Sequence, residues 1–466
     1  MILKLTLRVT KIVTAETTGD TPPRLIVKAG KVVAVRAVPF LAAILLARYL
    51  GATAFGIYSY ALSWAVILAA LGVFGLDRLV VREVAIHTVS ASWHECRLLL
   101  RWATGFAAGL AAAIAVGAVL LRFILEAPAG ISEWACIAAA PIIPLLAVST
   151  VQQAALRGLL RIGQSQLPLN FVRPITALLL SVVLASAAGH RPTATEALAA
   201  TTVAAILAVG VGSWLITVAL PKSGQPAVVP LRSRAWLRSC TTLFLVSSLA
   251  SLSATEILIL GVYERPEVVG AYSAALQCAA SVSLGFNVLT ALLSPRFAAL
   301  YATSRHEQLR KLLLRGQVLA IAVGVPVAVV LASHGDSLLR YLYGPGFARA
   351  HTALTLLVAG QVANILAGPT AALLTMTGHE RDAIPGLAAA AVANIVGALW
   401  LVPRWGINGA AIAAIAAVVT WNIVLGWLVR KRLGLTWPYV ARARAVAHRL
   451  ERQLPARLER SDLHIE

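Results

Sequence analysis

The residues best placed to do chemistry in this chain are charged side chains set in apolar runs. Only eleven residues separate Arg36 from Arg48. That is about 18 Å of helix, while a hydrocarbon core is about 30 Å thick. The first apolar run must therefore reach back to about Ala29, which places Arg36 inside it. An arginine within the membrane costs about 2.5–3.5 kcal/mol on insertion scales and is a functional residue by default. Its planar guanidinium suits two-pronged binding of phosphate oxygens. The competing reading is an arginine that snorkels toward the interface with Lys28 and Lys31.

Glu256 is the carboxylate that falls well inside an apolar run, about 10 Å of helix rise from its end near Tyr263. A carboxyl in lipid is protonated, paired or in a water-filled cavity. Its spacing points to cation coupling or to a partner for a buried arginine, against a plain hydrogen bond between helices. Arg82 and Arg296 close the second and eighth runs. Arg157, Arg161 and Arg173 surround the connection between the fourth and fifth, where Pro168 and Pro174 flank the exit. Each can bind an anion, and each can equally be a topology signal. Gln152, Gln153, Gln361, Asn364, Asn394 and Asn422 can meet sugar hydroxyls or bond helix to helix. No metal or cofactor is expected. The nine histidines lack HExxH spacing, no nucleotide-binding GxxxxGK[ST] occurs, and the four cysteines are scattered.

The elements that must carry these residues follow from composition. The 466 residues are 59% hydrophobic and 13% charged, with mean hydropathy +0.82. Soluble domains average about a quarter charged residues. The chain is therefore read as all-α and polytopic, because a backbone in lipid must satisfy its hydrogen bonds internally. Apolar runs of about 20 residues indicate helices rather than barrel strands. Twelve spans are expected near 29–49, 55–76, 102–121, 134–156, 168–188, 197–220, 240–263, 268–292, 316–334, 352–376, 383–402 and 408–429.

With the N-terminus inside, the cytoplasmic segments carry 33 of the 40 lysines and arginines. That split predicts N-in, C-in topology and assigns the net charge of +21 to cytoplasmic loops rather than to nucleic acid. The first 24 residues, closed by Pro22-Pro23, do not read as a signal peptide. Residues 441–458 read as a basic amphipathic helix on anionic lipid or as a plain solvated tail.

The chain also repeats. Gly56-Ile57-Tyr58-Ser59-Tyr60-Ala61-Leu62 returns as Gly270-Ala271-Tyr272-Ser273-Ala274-Ala275-Leu276, 214 positions later. At the same offset Arg82 matches Arg296, and Arg97-Leu98-Leu99-Leu100-Arg101 matches Lys311-Leu312-Leu313-Leu314-Arg315. Six spans per half make these parallel repeats about an axis along the membrane normal, around a central cavity. The expected organisation is a cytoplasmic arm (1–28), an N-terminal six-helix lobe (29–220), a linker (221–238), a C-terminal lobe (239–430) and a basic tail (431–466).

Five motifs then point to a family. Ala47-Arg48-Tyr49-Leu50-Gly51 with Phe55-Gly56-Ile57-Tyr58, Leu156-Arg157-Gly158-Leu159-Leu160-Arg161, Tyr343-Gly344-Pro345-Gly346-Phe347, Thr377-Gly378-His379-Glu380-Arg381 and Pro403-Arg404-Trp405-Gly406-Ile407-Asn408-Gly409 run in order. Together they resemble the polysaccharide-biosynthesis flippases, the Wzx-type translocases of the MOP superfamily. The resemblance implies two six-helix lobes in a V shape in the bacterial inner membrane. It also implies alternating-access flipping of polyprenyl-diphosphate-linked oligosaccharide to the outer leaflet, beside glycan polymerase and glycosyltransferase partners. Arg36, Arg82, Arg157, Arg173 and Arg296 would then meet the diphosphate, and Glu256 would couple transport to a cation. Two alternatives are a multidrug or cation antiporter of the same superfamily and a membrane glycan polymerase. The first would place acidic residues in the N-terminal lobe, and the first span has none. The second would need a large outer loop, and no outer loop exceeds about 20 residues.

Overall fold

A computed structural model describes residues 22–124, 133–221, 255–379 and 382–434, with a few positions between 236 and 248. For 22–36, 122–124, 133 and 188 it describes the backbone alone. The arm before residue 22, most of the linker and the tail beyond residue 434, including the expected helix at 441–458, lie outside the described residues.

The described residues are helical almost throughout, with no strand among them. In chain order the helices are α1 (22–50), α2 (52–73), α3 (Leu76–Val89), α4 (Trp93–Ile124), α5 (Glu133–Ala139), α6 (Ile142–Gly158), α7 (Ile162–Ser165), α8 (Arg173–Ala188) and α9 (Ala194–Ala219). The second half follows with α10 (Glu256–Tyr263), α11 (Pro266–Ala280), α12 (Leu284–Ala302), α13 (His306–Leu342), α14 (His351–Ala367), α15 (Thr370–Met376), α16 (383–405) and α17 (407–433). Nine continuous stretches among the described residues are long and apolar enough to cross a membrane. Two of these are helical hairpins, bent at Gly51 (φ 79°) and Gly406 (φ 51°). Left-handed backbone angles at those bends favour glycine, which has no Cβ to clash. Splitting the two hairpins raises nine to eleven, and α10 is the described end of the expected seventh span.

Local sequence explains the ends. Gly189 (φ 68°) stops α8. Thr193 then opens α9 with a capping box: its hydroxyl accepts from the Glu196 N–H, and its own N–H donates to the Glu196 carboxylate at 2.8 Å. Pro141 and Pro369 precede α6 and α15, where a missing backbone donor does least harm. The expected first span, reaching back past Arg36, is seen: α1 runs unbroken from residue 22 to the bend at Gly51.

The second span differs from its expected 55–76. It begins at residue 52, breaks at Phe74 and Gly75 (φ 51° and 76°), and resumes as α3 to Val89. Its repeat, expected at 268–292, runs from Pro266 to Ala302 with a tight turn at Ser281–Ser283. Helix thus extends well beyond the apolar core on the basic side, where charged residues hid it from a hydropathy reading.

Loops at 50–52, 189–193, 264–266, 343–350 and 405–407 share one end of the bundle, the end predicted to face outward. At that end Arg404 stacks on Trp400 at 4.5 Å, and at the opposite end Lys431 stacks on Trp427 at 4.9 Å. Trp and basic side chains are enriched where membrane helices meet the lipid–water interface.

Candidate functional site

The two halves meet, at the end that carries the Gly51 and Gly406 bends and is predicted to face outward, through α2 and α11, the two copies of the repeated motif. A Cβ added to Gly56 would overlap the carbonyl of Pro266, and one added to Gly270 would overlap the carbonyl of Ala52. Ala52 and Pro266 are themselves 214 positions apart, as are Gly56 and Gly270. The contact is therefore two-fold symmetric, each helix presenting the same face to the other. Small residues let backbones approach this closely in a membrane, where packing rather than water drives association.

Side chains reinforce the seam. Thr53 donates to Glu267 at 3.4 Å, again 214 positions apart. Glu267 also pairs with Arg349 at 3.3 Å, and Arg48 donates to the Tyr341 carbonyl at 3.0 Å. Beneath them the Phe55 and Phe347 rings meet edge to face at 6.0 Å. At the basic end the two halves meet as well: Phe74 stacks on Phe244 at 4.6 Å, Trp102 meets Trp236 at 5.1 Å, and a Cβ added to Gly75 would overlap the Phe244 backbone nitrogen.

The candidate anion-binding residues occupy different settings. Arg173 begins α8 directly after a π-turn at Pro168–Val172, which directs the helix into the N-terminal lobe. Its side chain is half-buried and makes no hydrogen bond or ion pair with a described residue; its electrostatic neighbour is Tyr58. Tyr58 in turn bonds Thr201 at 3.2 Å, so the phenol is held from α9. Arg36 lies on the α1 backbone 15 residues before Gly51, and Arg173 lies 15 residues before Ala188. Both are thus about 22 Å of helix rise from the outer end. The side chain of Arg36 lies outside what is described.

The other arginines are engaged. Arg157 donates to Gln153 at 2.5 Å, within a string of amides that continues to Gln166 and Asn170. Arg161 donates to Gln164 at 3.2 Å. Arg82 is exposed and pairs with its neighbour Glu83 at 2.9 Å. Arg296 is half-buried in α12 and also has a partner.

Glu256 sits at the start of α10, 4% exposed, and accepts from Asn394 of α16 at 3.1 Å. It forms no ion pair with a described residue, so the arginine-partner reading finds no contact here. It lines a cavity of about 370 Å³ inside the C-terminal lobe with Gln361, Asn364 and Trp421. Tyr272, the repeat partner of Tyr58, is fully buried nearby with its hydroxyl unpaired. The equivalent tyrosines thus have different ionisable neighbours, Arg173 in one half and Glu256 in the other. Sequence reasoning passed over Thr53, Glu267, both tyrosines and Trp421. The offset of 214 was the available signal for the first four.

The polysaccharide biosynthesis protein family profile matches residues 26–301, more than half of the chain. The chain belongs to that family. No curated protein sequence matches it. Among solved structures, the fold of this polysaccharide biosynthesis protein is similar to an inward-facing multidrug resistance MATE transporter of the MOP superfamily. That match has TM-score 0.65 and 14% identity, covering 86% of this chain and 98% of the other. It is equally similar to the lipid II flippase MurJ in an inward closed conformation, at TM-score 0.65, 14% identity and 87% of each chain. A MOP superfamily transporter from Pyrococcus furiosus matches at TM-score 0.61 and 16% identity, over 89% of this chain and 96% of that one. The two-lobed helical architecture expected from the repeat is therefore the fold of this multi-pass membrane protein, and it resembles that of these MOP superfamily transporters.

Proposed function

We propose that this membrane protein is a translocase that carries a polyprenyl-diphosphate-linked oligosaccharide from the inner to the outer leaflet of the bacterial cytoplasmic membrane. Arg173 carries the reading: a half-buried guanidinium without a hydrogen-bond or ion-pair partner among the described residues, at membrane depth. Such a group is costly unless an anion visits it. A diphosphate supplies the paired oxygens that a guanidinium binds two at a time. Arg36 stands at a matching depth and joins it. Arg82 and Arg296, at the basic ends of α3 and α12, receive the diphosphate from the inner leaflet, and Arg157 lies along the entry.

The seam at Gly56 and Gly270 supports alternating access. In this reading the outer end is closed and the substrate enters from the basic side, where the ring contacts of Phe74 and Trp102 and the close approach of Gly75 to the Phe244 backbone must part. Parting the glycine seam then releases the substrate outward. Glu256 is the coupling carboxyl. Glu256 is the one carboxyl lining the cavity, which favours a proton over a metal ion as the cation it takes. Topology is N-in, C-in, and polymerase or glycosyltransferase machinery works on either side of the step.

An antiporter of cationic drugs is the second reading, prompted by the MATE-like fold. Against it, the first span contains arginines and no Asp or Glu. The test is genetic. Removing the protein should accumulate lipid-linked glycan on the cytoplasmic face, and Arg173→Ala should fail to clear it. A deletion strain with no accumulation would overturn the reading.

A further inference from the structure

The cavity of the C-terminal lobe has a wall built for a ligand. Its about 370 Å³ is partly open and is lined by aliphatic side chains and by Glu256, Gln361, Asn364 and Trp421. Cavities that stay empty are apolar, and one with several polar groups on its wall holds water or a ligand. Its volume lies at the small-ligand end of the usual range.

Each polar group is held in place from behind. Asn394 donates to Glu256 at 3.1 Å, and Thr255 donates to Asn394 at 3.3 Å. Ser283 donates to the Gln361 oxygen at 2.5 Å. Asn422 donates to the Asn364 oxygen at 3.0 Å and to the Val418 carbonyl at 2.9 Å. Contact groups locked by supporting hydrogen bonds are the mark of a preorganised site. The supports also decide which atoms are left over. Each amide oxygen accepts one hydrogen bond, while the NH2 groups of Gln361 and Asn364 have no partner among the described residues. The set left over is two neutral NH2 donors, one further lone pair on each amide oxygen, one carboxyl and an indole face.

That set selects among ligand chemistries. A metal cation needs several oxygens, and the described residues contain no cluster of three His, Cys, Asp or Glu. A diphosphate needs cationic donors, and the lining has none. A sugar is neutral. Its hydroxyls accept from amide NH2 groups and donate to a carboxyl, and its C–H face lies against an indole, an apolar surface with a polar edge. We propose that this cavity is a subsite for one sugar of the transported glycan. The N-terminal lobe holds the charged diphosphate, and the C-terminal lobe holds a sugar joined to it. The inference rests on the lipid-linked glycan reading above.

The experiment measures binding of purified full-length protein in nanodiscs to geranyl diphosphate and to geranyl diphosphate bearing glucose, galactose or N-acetylglucosamine. At least one sugar should raise affinity about tenfold, the worth of one or two good hydrogen bonds. Asn364→Ala and Trp421→Ala should erase that increment while leaving affinity for bare geranyl diphosphate unchanged. Trp421→Phe, which keeps an aromatic face, should retain part of it. Bare diphosphate binding should fall in Arg173→Ala alone. Equal affinity for bare and sugar-bearing probes in the unaltered protein would overturn the subsite and leave the diphosphate reading standing. So would a loss of both affinities together in Asn364→Ala. Bare diphosphate binding that ignores Arg173 would overturn the diphosphate reading instead.

Discussion

Gly56 and Gly270 lie against one another where α2 crosses α11, each without room for a Cβ beneath the carbonyl of the other helix. The two residues are equivalent in the repeat, so the pseudo-two-fold axis passes through their contact. Any opening of the outer end must separate them. Gly56→Leu should therefore hold the lobes apart there. In a background without the four native cysteines, Ala52→Cys should resist a membrane-impermeant maleimide when Gly56 is present. It should become labelled when Gly56→Leu is added, with transport lost. Unchanged labelling would mean that the seam does not gate the outer end.

The same axis invites a reversible lock. Thr53 and Glu267 already touch at 3.4 Å. Replacing both by cysteine and joining them with a short thiol-specific crosslinker should stop transport, and reduction should restore it. Full transport in the crosslinked protein would show that the outer end need not open.

Arg173 should matter to transport and little to folding, because it contributes no hydrogen bond or ion pair to the described structure. Arg173→Ala should weaken diphosphate binding about 10- to 100-fold, the usual worth of a charge-assisted hydrogen bond. Arg173→Lys should recover part of this, since an ammonium keeps the charge and loses the fork. The readouts are binding of a prenyl diphosphate and the level of membrane-inserted protein, which should stay normal.

Glu256→Gln keeps the shape and the bond from Asn394 while removing the exchangeable proton. Transport by this variant should run at the rate of the unaltered protein without a proton gradient, and should not respond when a gradient is applied. A full response in the variant would assign the coupling elsewhere.

Arg82 and Arg296 test the entry. The Arg82–Glu83 pair is exposed, and such pairs contribute about 0–1 kcal/mol. Neutralising both arginines should slow transport while leaving insertion and thermal stability nearly unchanged. Equal transport would assign them to topology alone.

Much of the architecture was legible in the sequence, and the reason is physical. Lipid forces long apolar helices, so most of the spans stood out. The offset of 214 predicted that Gly56 and Gly270 would be equivalent. It did not disclose that they touch, because symmetry alone leaves the distance to the axis free. Hydropathy cut α2 short of α3 because the helix continues through Asp77, Arg78 and Arg82, which a solvent-exposed helix tolerates. The site was harder to read. Arg157 and Arg173 look alike as arginines beside one loop, and only the fold shows the first tied to Gln153 and the second without such a bond. Glu256 was conspicuous as a lone carboxyl. Its cavity was not, since Gln361, Asn364 and Trp421 come from helices far apart in sequence.

The most direct measurement is a leaflet-resolved transfer assay. Purified protein is reconstituted into vesicles carrying a polyprenyl-diphosphate-linked oligosaccharide in one leaflet, and an impermeant glycan-modifying enzyme reports arrival in the other. The account predicts transfer well above protein-free vesicles, lost in Arg173→Ala and in the locked Thr53–Glu267 pair. Transfer no faster than in protein-free vesicles, or transfer indifferent to both changes, would contradict it.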